Sequence, residues 1–107
     1  MAESAVTHPL PSVPPEVAKF AAERGVTAYL RGVVGMTQGI YPNREVAIRL
    51  EEDAEIADDW YIVLDVDVTG LEAEQLSATQ WQWSSEVFDH CPSTHVHFFR
   101  LGWKVSP

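Results

Sequence analysis

The stretch that most constrains the fold is WYIVLDVDVTG, residues 60–70. Its residues alternate between two sets, which is the two-residue period of a β-strand. The set that should face the core is apolar throughout and comprises Trp60, Ile62, Leu64, Val66 and Val68. The opposite set becomes polar along the strand and comprises Tyr61, Val63, Asp65, Asp67 and Thr69. Because the first half is apolar on both faces and no proline or glycine interrupts the run before its end, the pattern predicts a central strand.

The same strand ends in Asp65-x-Asp67-x-Thr69, which resembles the first motif of haloacid-dehalogenase-type phosphatases. The resemblance implies that Asp65 is a nucleophile and Asp67 an acid/base, with Mg²⁺ shared between them. That fold also needs a doubly wound sheet and later basic and acidic residues, whereas this chain continues with only two basic residues, Arg100 and Lys104. We therefore interpret Asp65 and Asp67 as the solvent face of an antiparallel strand, with cation or phosphatase chemistry as the alternative.

Length and composition predict one domain with one modest core, because the chain has 107 residues, of which 46% are hydrophobic and 21% charged. No apolar run is long enough for a membrane span, and no basic segment precedes an apolar one as in a secretory signal. Cys91 is the single cysteine, so an internal disulfide is excluded and a reducing compartment, the cytoplasm, is expected. No phosphate-binding glycine loop or other cofactor motif is present, so we expect no cofactor.

Negative charge is concentrated in one half of the chain. The formal net charge is −9, and the window 50–99 contains twelve acidic residues and no lysine or arginine. Such a field repels phosphate backbones, so nucleic-acid binding is not expected, whereas a basic protein surface would be attracted. The alternative is that the excess charge only keeps the protein soluble.

The N-terminal residues 1–14 contain three prolines and no apolar period, which predicts a flexible tail before a domain over residues 15–107. A first helix should begin at Pro15, where a proline loses no hydrogen bond, and end at Gly25. Val17, Phe20 and Ala21 should form its buried face.

The segment 26–41 has helical periodicity, because its larger apolar residues fall on one face. That face comprises Tyr29, Leu30, Val33, Val34, Met36, Ile40 and Tyr41. Another side carries the small residues Ala28, Gly32, Gly35 and Gly39. Each glycine costs about 0.5–1 kcal/mol relative to alanine in a helix, so we expect close approach of another helix, such as the first one. An irregular helix is the alternative.

A first strand is predicted by the alternation of Val46, Ile48 and Leu50 with polar residues, and residues 52–59 should then form a solvated hairpin loop. The isolated Ile56 is expected to fold back as a plug. The loop is the densest acidic segment, and its carboxylates are the residues expected to steer a basic partner. They are Glu52, Asp53, Glu55, Asp58 and Asp59.

A third helix should begin with a capping box of Thr69 and Glu72 and continue to Cys91. Its expected buried face comprises Leu76, Gln80, Trp83, Val87 and Cys91. Trp81 and Phe88 form a second apolar strip, which one sheet face cannot easily cover. The strip is therefore a candidate contact surface for a second copy or another protein, unless the tail or the first helix covers it.

A third strand is expected from Val96 to Lys104, with His95 and His97 projecting from one face. Together with Cys91 or His90 they form a candidate metal site. The spacing matches no zinc-finger pattern and no carboxylate or further ligand is placed, so we favour exposed or internally hydrogen-bonded histidines.

These elements predict an α+β fold of order α-α-β-β-α-β, a two-layer sandwich in which a mainly antiparallel three-stranded sheet has helices on one face. A right-handed crossover would make the second and third strands parallel, and the first strand could lie between them. For function, the sequence favours a small non-catalytic interaction or accessory protein, inhibitor-like or antitoxin-like, that forms a homodimer or binds a basic protein. The alternative is a metal-dependent enzyme or metal-binding protein that uses Asp65 and Asp67, or Cys91, His95 and His97.

Overall fold

Residues 11–106 of the chain are described by a computed structural model, so most of the predicted tail at residues 1–14 lies outside the described residues. The elements follow the predicted order α-α-β-β-α-β, and the helices pack against one face of the sheet. The helices are α1 (Pro15–Arg24), α2 (Thr27–Ile40) and α3 (Ala73–Glu86), the strands are β1 (Val46–Glu52), β2 (Trp60–Asp67) and β3 (Phe99–Lys104), and 3₁₀ turns span Val87–Asp89 and Val96–Phe98. None of the helices in this range is long and apolar enough to cross a lipid bilayer.

The sheet has the order β1-β2-β3, so β2 is the central strand, as its two-sided apolar pattern predicts. Strand β1 is antiparallel to β2, and β3 is parallel to β2 because α3 returns the chain to the start of the sheet. The alternative in which the first strand lies between the other two is wrong. Ile62 marks the register, since it lies opposite Leu50 on one side and Phe99 on the other.

The core lies between the sheet and the three helices. Alternation along the strands supplies its sheet side, which includes the buried residues Val46, Ile48, Ile62, Leu64, Val66 and Phe99. Removing such a side chain from water stabilises the fold by about 1.5–3 kcal/mol. Val63 is buried on the opposite face, in agreement with the apolar first half of β2.

Helix α1 has the predicted ends and the predicted buried face. Pro15 stands at its first position, and Gly25 ends it with a φ of 72°, a left-handed conformation that glycine adopts without steric cost. The Val26 N–H donates to the Ala21 carbonyl at 2.9 Å across this turn. Val17, Phe20 and Ala21 are buried, which orients the helix against α2 and β1.

Helix α2 is regular, and its small-residue side has a different neighbour from the one predicted. A Cβ on Gly32 would lie 3.2 Å from His90 Nδ1, so one glycine does permit close approach. The neighbour belongs to the segment that follows α3 and is not α1. Gly35 and Gly39 face open space, so no packing contact explains them.

Helix α3 begins later and ends earlier than predicted. Its N-cap is Glu72, which exchanges hydrogen bonds with Gln75. Thr69 does not cap the helix, because its hydroxyl donates to Asp67 and accepts the N–H of Ser106 at 2.8 Å instead of a helix N–H. The α-helix ends at Glu86, and a 3₁₀ turn leads to Cys91.

The buried face of this segment is smaller than expected. Trp83, Val87 and Cys91 are buried, Leu76 is partly buried, and Gln80 is exposed, because only the C-terminal half of α3 packs closely on the core.

A buried hydrogen bond joins α2 to α3. Trp83 Nε1 donates to Thr37 Oγ1 at 2.8 Å, and that hydroxyl donates to the Val33 carbonyl at 2.7 Å. Thr37 is fully buried among mainly apolar side chains. A buried indole N–H without a partner is costly, so this bond fixes the rotation of α3 about its axis.

We expect Thr37→Val to destabilise the protein by about 1–3 kcal/mol, because valine keeps the shape and leaves the Trp83 N–H buried without an acceptor. Thr79→Val is the matched control, since the Thr79 hydroxyl donates only to carbonyls of its own helix. Urea unfolding measures both free energies. Equal effects of the two substitutions would contradict a special role for the Thr37 hydroxyl.

Candidate protein-interaction surface

The hairpin loop between β1 and β2 is shaped by two of its own carboxylates. Asp53 Oδ1 accepts the N–H groups of Glu55 and Ile56 at 2.8 and 3.0 Å, and Glu52 Oε2 accepts the N–H of Asp58 at 2.9 Å. The two backbone hydrogen bonds lower the pKa of Asp53, and the charge of nearby Arg100 lowers it further. Glu52 and Asp53, two of the five acids predicted to attract a basic partner, therefore also stabilise the conformation of the loop.

Ile56 does not fold back as a plug, because 59% of its surface is exposed. The Asp53 turn holds the Ile56 backbone at the tip of the loop, and the loop is too short for that side chain to reach the core. Glu55 and Asp58 are also exposed, and Asp59 is partly exposed. The tip of the hairpin therefore presents carboxylates beside an apolar side chain.

Trp81 and Phe88 are both exposed, to 76% and 55% respectively. They are seven residues apart in sequence, Trp81 on α3 and Phe88 in the 3₁₀ turn that follows it. The alternative in which α1 covers them is wrong. Exposure of two large aromatic side chains on one stretch is typical of a contact surface.

The hairpin loop and the segment after α3 lie at the same end of the sheet. Strand β2 starts directly after the loop, and β3 starts opposite Ile62, near that start. Because α3 connects the far end of β2 to the start of β3, residues 87–98 return to the end where the loop lies. The 3₁₀ turn at residues 96–98 therefore lies at the same end of the sheet as the acidic loop.

A shallow crevice of about 360 Å³ lies between the end of α2 and the N-terminal half of α3. Its lining residues are Ile40, Tyr41, Pro42, Arg44, Leu71, Gln75, Ala78 and Thr79. Ala78 is one helical turn from Trp81, so the crevice adjoins the aromatic strip. The sequence gives no signal for it, because the crevice exists only where two helices that are distant in sequence meet.

The solvent face of the sheet carries paired charges. Arg49 donates to both Asp65 and Glu51, and these hydrogen bonds raise the pKa of its guanidinium. Tyr61 also donates to Glu51, at 2.9 Å, and the Arg100 guanidinium stacks 4.2 Å from the centre of the Tyr61 ring. Asp65 therefore lies in an ion pair on this face.

Asp67 holds the C-terminal segment onto the sheet. Its carboxylate accepts hydrogen bonds from the Thr69 hydroxyl, the Thr69 N–H and the Ser106 hydroxyl, and these lower its pKa to about 2. A general acid or base works best with a pKa near the operating pH, so Asp67 is poorly suited to that role. The three-stranded sheet also differs from the doubly wound sheet that the phosphatase resemblance implies.

The predicted His-x-His pair does not form on a strand. Residues 96–98 are a 3₁₀ turn and β3 begins only at Phe99, so the expected start of this strand at Val96 is wrong. The turn allows Phe98 to pack edge-on against Phe20, with 5.9 Å between the ring centres. A strand that extended back to Val96 would also run past Trp60, where β2 begins.

The candidate metal ligands have other contacts. His95 Nδ1 is 2.8 Å from Thr94 Oγ1, and the His97 ring packs 4.0 Å from that of Phe98. Cys91 is buried, which raises the pKa of its thiol. Within residues 11–106, no group of three or more His, Cys, Asp or Glu side chains has an arrangement that could hold a metal ion.

We compared the chain with protein-family models, curated proteins and solved structures, and none of them matches it. Function therefore has to be inferred from the residues of this chain. Among the predicted site residues, Trp81 and Phe88 are exposed, and the hairpin carboxylates are exposed or partly exposed. The candidate metal ligands of the described chain make other contacts and do not form a cluster.

We expect the Asp67 carboxyl to titrate near pH 2 in the folded protein, compared with its ordinary pKa of 3.8. Because the folded pKa is lowered, the hydrogen bonds of Asp67 stabilise the fold above about pH 4, and that contribution is lost as the pH falls through about 2. Ser106→Ala removes one of the donors and should raise the pKa, whereas Ser93→Ala should not. An NMR titration of the side-chain carboxyl measures this, and an unchanged pKa in Ser106→Ala would show that the Ser106 contact is absent in solution.

Proposed function

We propose that this protein is a small non-catalytic protein that binds a protein partner with a basic surface, as an inhibitor-like or antitoxin-like accessory. The observation that carries the proposal is the exposure of Trp81, at 76%, on a helix that contains acidic residues and no basic ones. Tryptophan is enriched among the residues that contribute most to binding energy at interfaces. An exposed tryptophan within an acidic surface therefore fits a partner that offers an apolar pocket surrounded by cations.

The hairpin carboxylates support the same proposal through association kinetics. Charges at the rim of an interface mainly increase the rate of encounter, and this effect weakens as salt screens the field. Glu52, Asp53, Glu55, Asp58 and Asp59 lie at the end of β1 and on the loop that leads into β2. In this proposal their charge attracts the basic surface, and the aromatic side chains contact it after the encounter.

The contacts of the other polar residues also support a non-catalytic role. Asp65 is paired with Arg49, and Asp67 is held by hydroxyl and backbone donors with a low pKa. The pKa of the Cys91 thiol is raised by burial, which disfavours the reactive thiolate. Self-association through Trp81 and Phe88 would use the same strip for a homodimer. The following experiment distinguishes a homodimer from binding of another protein.

We expect Trp81→Ser to abolish partner binding and to change the free energy of unfolding by no more than about 0.5 kcal/mol, because the side chain is mostly exposed. Ile56→Ser is the matched control, since it also removes an exposed apolar side chain. Quantitative affinity capture from the native host compares the three proteins, and sedimentation of the pure protein reports any homodimer. Identical captured proteins for wild type and Trp81→Ser, with a monomer in both cases, would refute the proposal.

Replacing the five hairpin acids by their amides should stabilise the free protein at low salt and slow its association with the partner. The substitutions are Glu52→Gln, Asp53→Asn, Glu55→Gln, Asp58→Asn and Asp59→Asn. The amides keep a carbonyl oxygen that can accept the loop hydrogen bonds, and asparagine tolerates the left-handed φ of 62° at Asp58.

Thermal unfolding at low and high salt, and stopped-flow association with the captured partner, measure the two effects. Wild-type stability should rise with added salt more than that of the variant, because salt screens the repulsion that the variant has lost. If stability at low salt and the association rate are both unchanged, the loop is only a solvated surface.

A further inference from the structure

We propose that the partner docks through an amphipathic helix with basic flanks, which lies along the exposed side of α3 from the crevice to Phe88. This inference rests on the proposed function and specifies which structural element of the partner binds to the surface. The surface is defined by the α2–α3 crevice, the small residues around Trp81, and the two exposed aromatic side chains.

The first observation is that Trp81 is surrounded by small side chains. The helix positions three and four residues before and after it are Ser77, Ala78, Ser84 and Ser85, all of them exposed. The Ser85 hydroxyl donates to the Trp81 carbonyl at 3.0 Å, so its hydrogen bond is made within the helix. A second helix can approach a surface of small residues closely, and Trp81 then projects between its side chains.

The second observation is the length of the surface. Ala78 lines the crevice, and α3 continues from there to Glu86 over about 12 Å of helix axis, with Phe88 in the 3₁₀ turn that follows. A partner helix of about ten residues covers at least this length, and it presents side chains at i, i+3, i+4 and i+7 along one face. One large apolar side chain of such a helix can enter the crevice while others contact Trp81 and Phe88.

The negative charge of this surface favours a basic partner helix over a second copy of this chain. Glu74 and Glu86 lie on α3 and Asp89 on the turn that follows, and there is no lysine or arginine between Leu50 and Phe99. Arg44 also lines the crevice, and its guanidinium donates to the Thr69 carbonyl. A symmetric dimer through α3 would bring these carboxylates close to their own copies, without cations from the same stretch to pair with them. A helix with lysines or arginines beside its apolar face places opposite charges there.

A synthetic peptide of about 16 residues tests this, with leucines at helical spacing on one face and lysines on the other. The control peptide has the same composition in an order without helical periodicity. We expect the amphipathic peptide to bind the wild-type protein at least about tenfold more tightly than the control peptide does, and to shift the Trp81 indole NMR signal.

Two protein variants test the location. Trp81→Ser and the double variant Ser84→Gln, Ser85→Gln should each weaken peptide binding by about tenfold or more, the second because bulk is added where the partner helix must approach. Ala22→Gln adds similar bulk to an exposed position of α1 and should leave the affinity unchanged.

The outcomes separate this inference from the proposed function. Equal binding of both peptides, or full affinity in the Ser84 and Ser85 variant, would show that only net charge attracts the peptide and would overturn the inference. A wild-type homodimer that Trp81→Ser dissociates, with no peptide binding, would identify the surface as a self-interface and also overturn it. If the peptides fail while Trp81-dependent capture of a basic partner persists, the helical docking is wrong and the proposed function stands.

Discussion

Burial of the inward face of β2 is the constraint on which the rest of the structure depends. Ile62, Leu64 and Val66 are almost fully removed from water, and their opposite neighbours on β1 and β3 extend the same apolar surface. A surface of this kind has to be covered, and among the described residues the three helices cover it. Because β3 is parallel to β2, the chain has to cross the sheet between them, and α3 is that crossover.

The way in which α3 is anchored decides which of its tryptophans is exposed. Trp83 is buried and donates to Thr37, which fixes the rotation of the helix. Trp81 is two residues earlier, about 200° around the helix axis, so it is directed to the opposite side. The exposure of Trp81 is therefore a consequence of core packing, and both proposals rest on it.

Electrostatics divides the surface into two parts. On the solvent face of the sheet, Arg49 pairs with Asp65 and Glu51, and Lys104 pairs with Glu45 at 3.2 Å. On the hairpin loop and α3, the sequence supplies carboxylates and no cations. Some of these carboxylates accept backbone hydrogen bonds, which stabilises their ionised form but leaves the net charge in place. The uncompensated negative charge is thus concentrated on the hairpin loop and on α3, and α3 also carries the exposed Trp81.

The sequence by itself determined the features that depend on local periodicity and composition. The alternation of residues 60–68 specified a central strand, the Pro15 and Gly25 pair specified the ends of α1, and the apolar face of residues 26–41 specified a helix. The second apolar strip of Trp81 and Phe88 also followed from periodicity, whereas its exposure did not, because the tail or the first helix was an alternative cover.

Tertiary structure decided the features that depend on contacts between segments distant in sequence. The sequence predicts Thr69 as the cap of α3, but its hydroxyl oxygen accepts the N–H of Ser106 from the segment after β3, and Glu72 caps the helix instead. The 3₁₀ turn at residues 96–98 depends on Phe98 packing against Phe20, and the crevice beside Ala78 depends on how α2 meets α3. These contacts join residues far apart in sequence, so no local pattern specifies them.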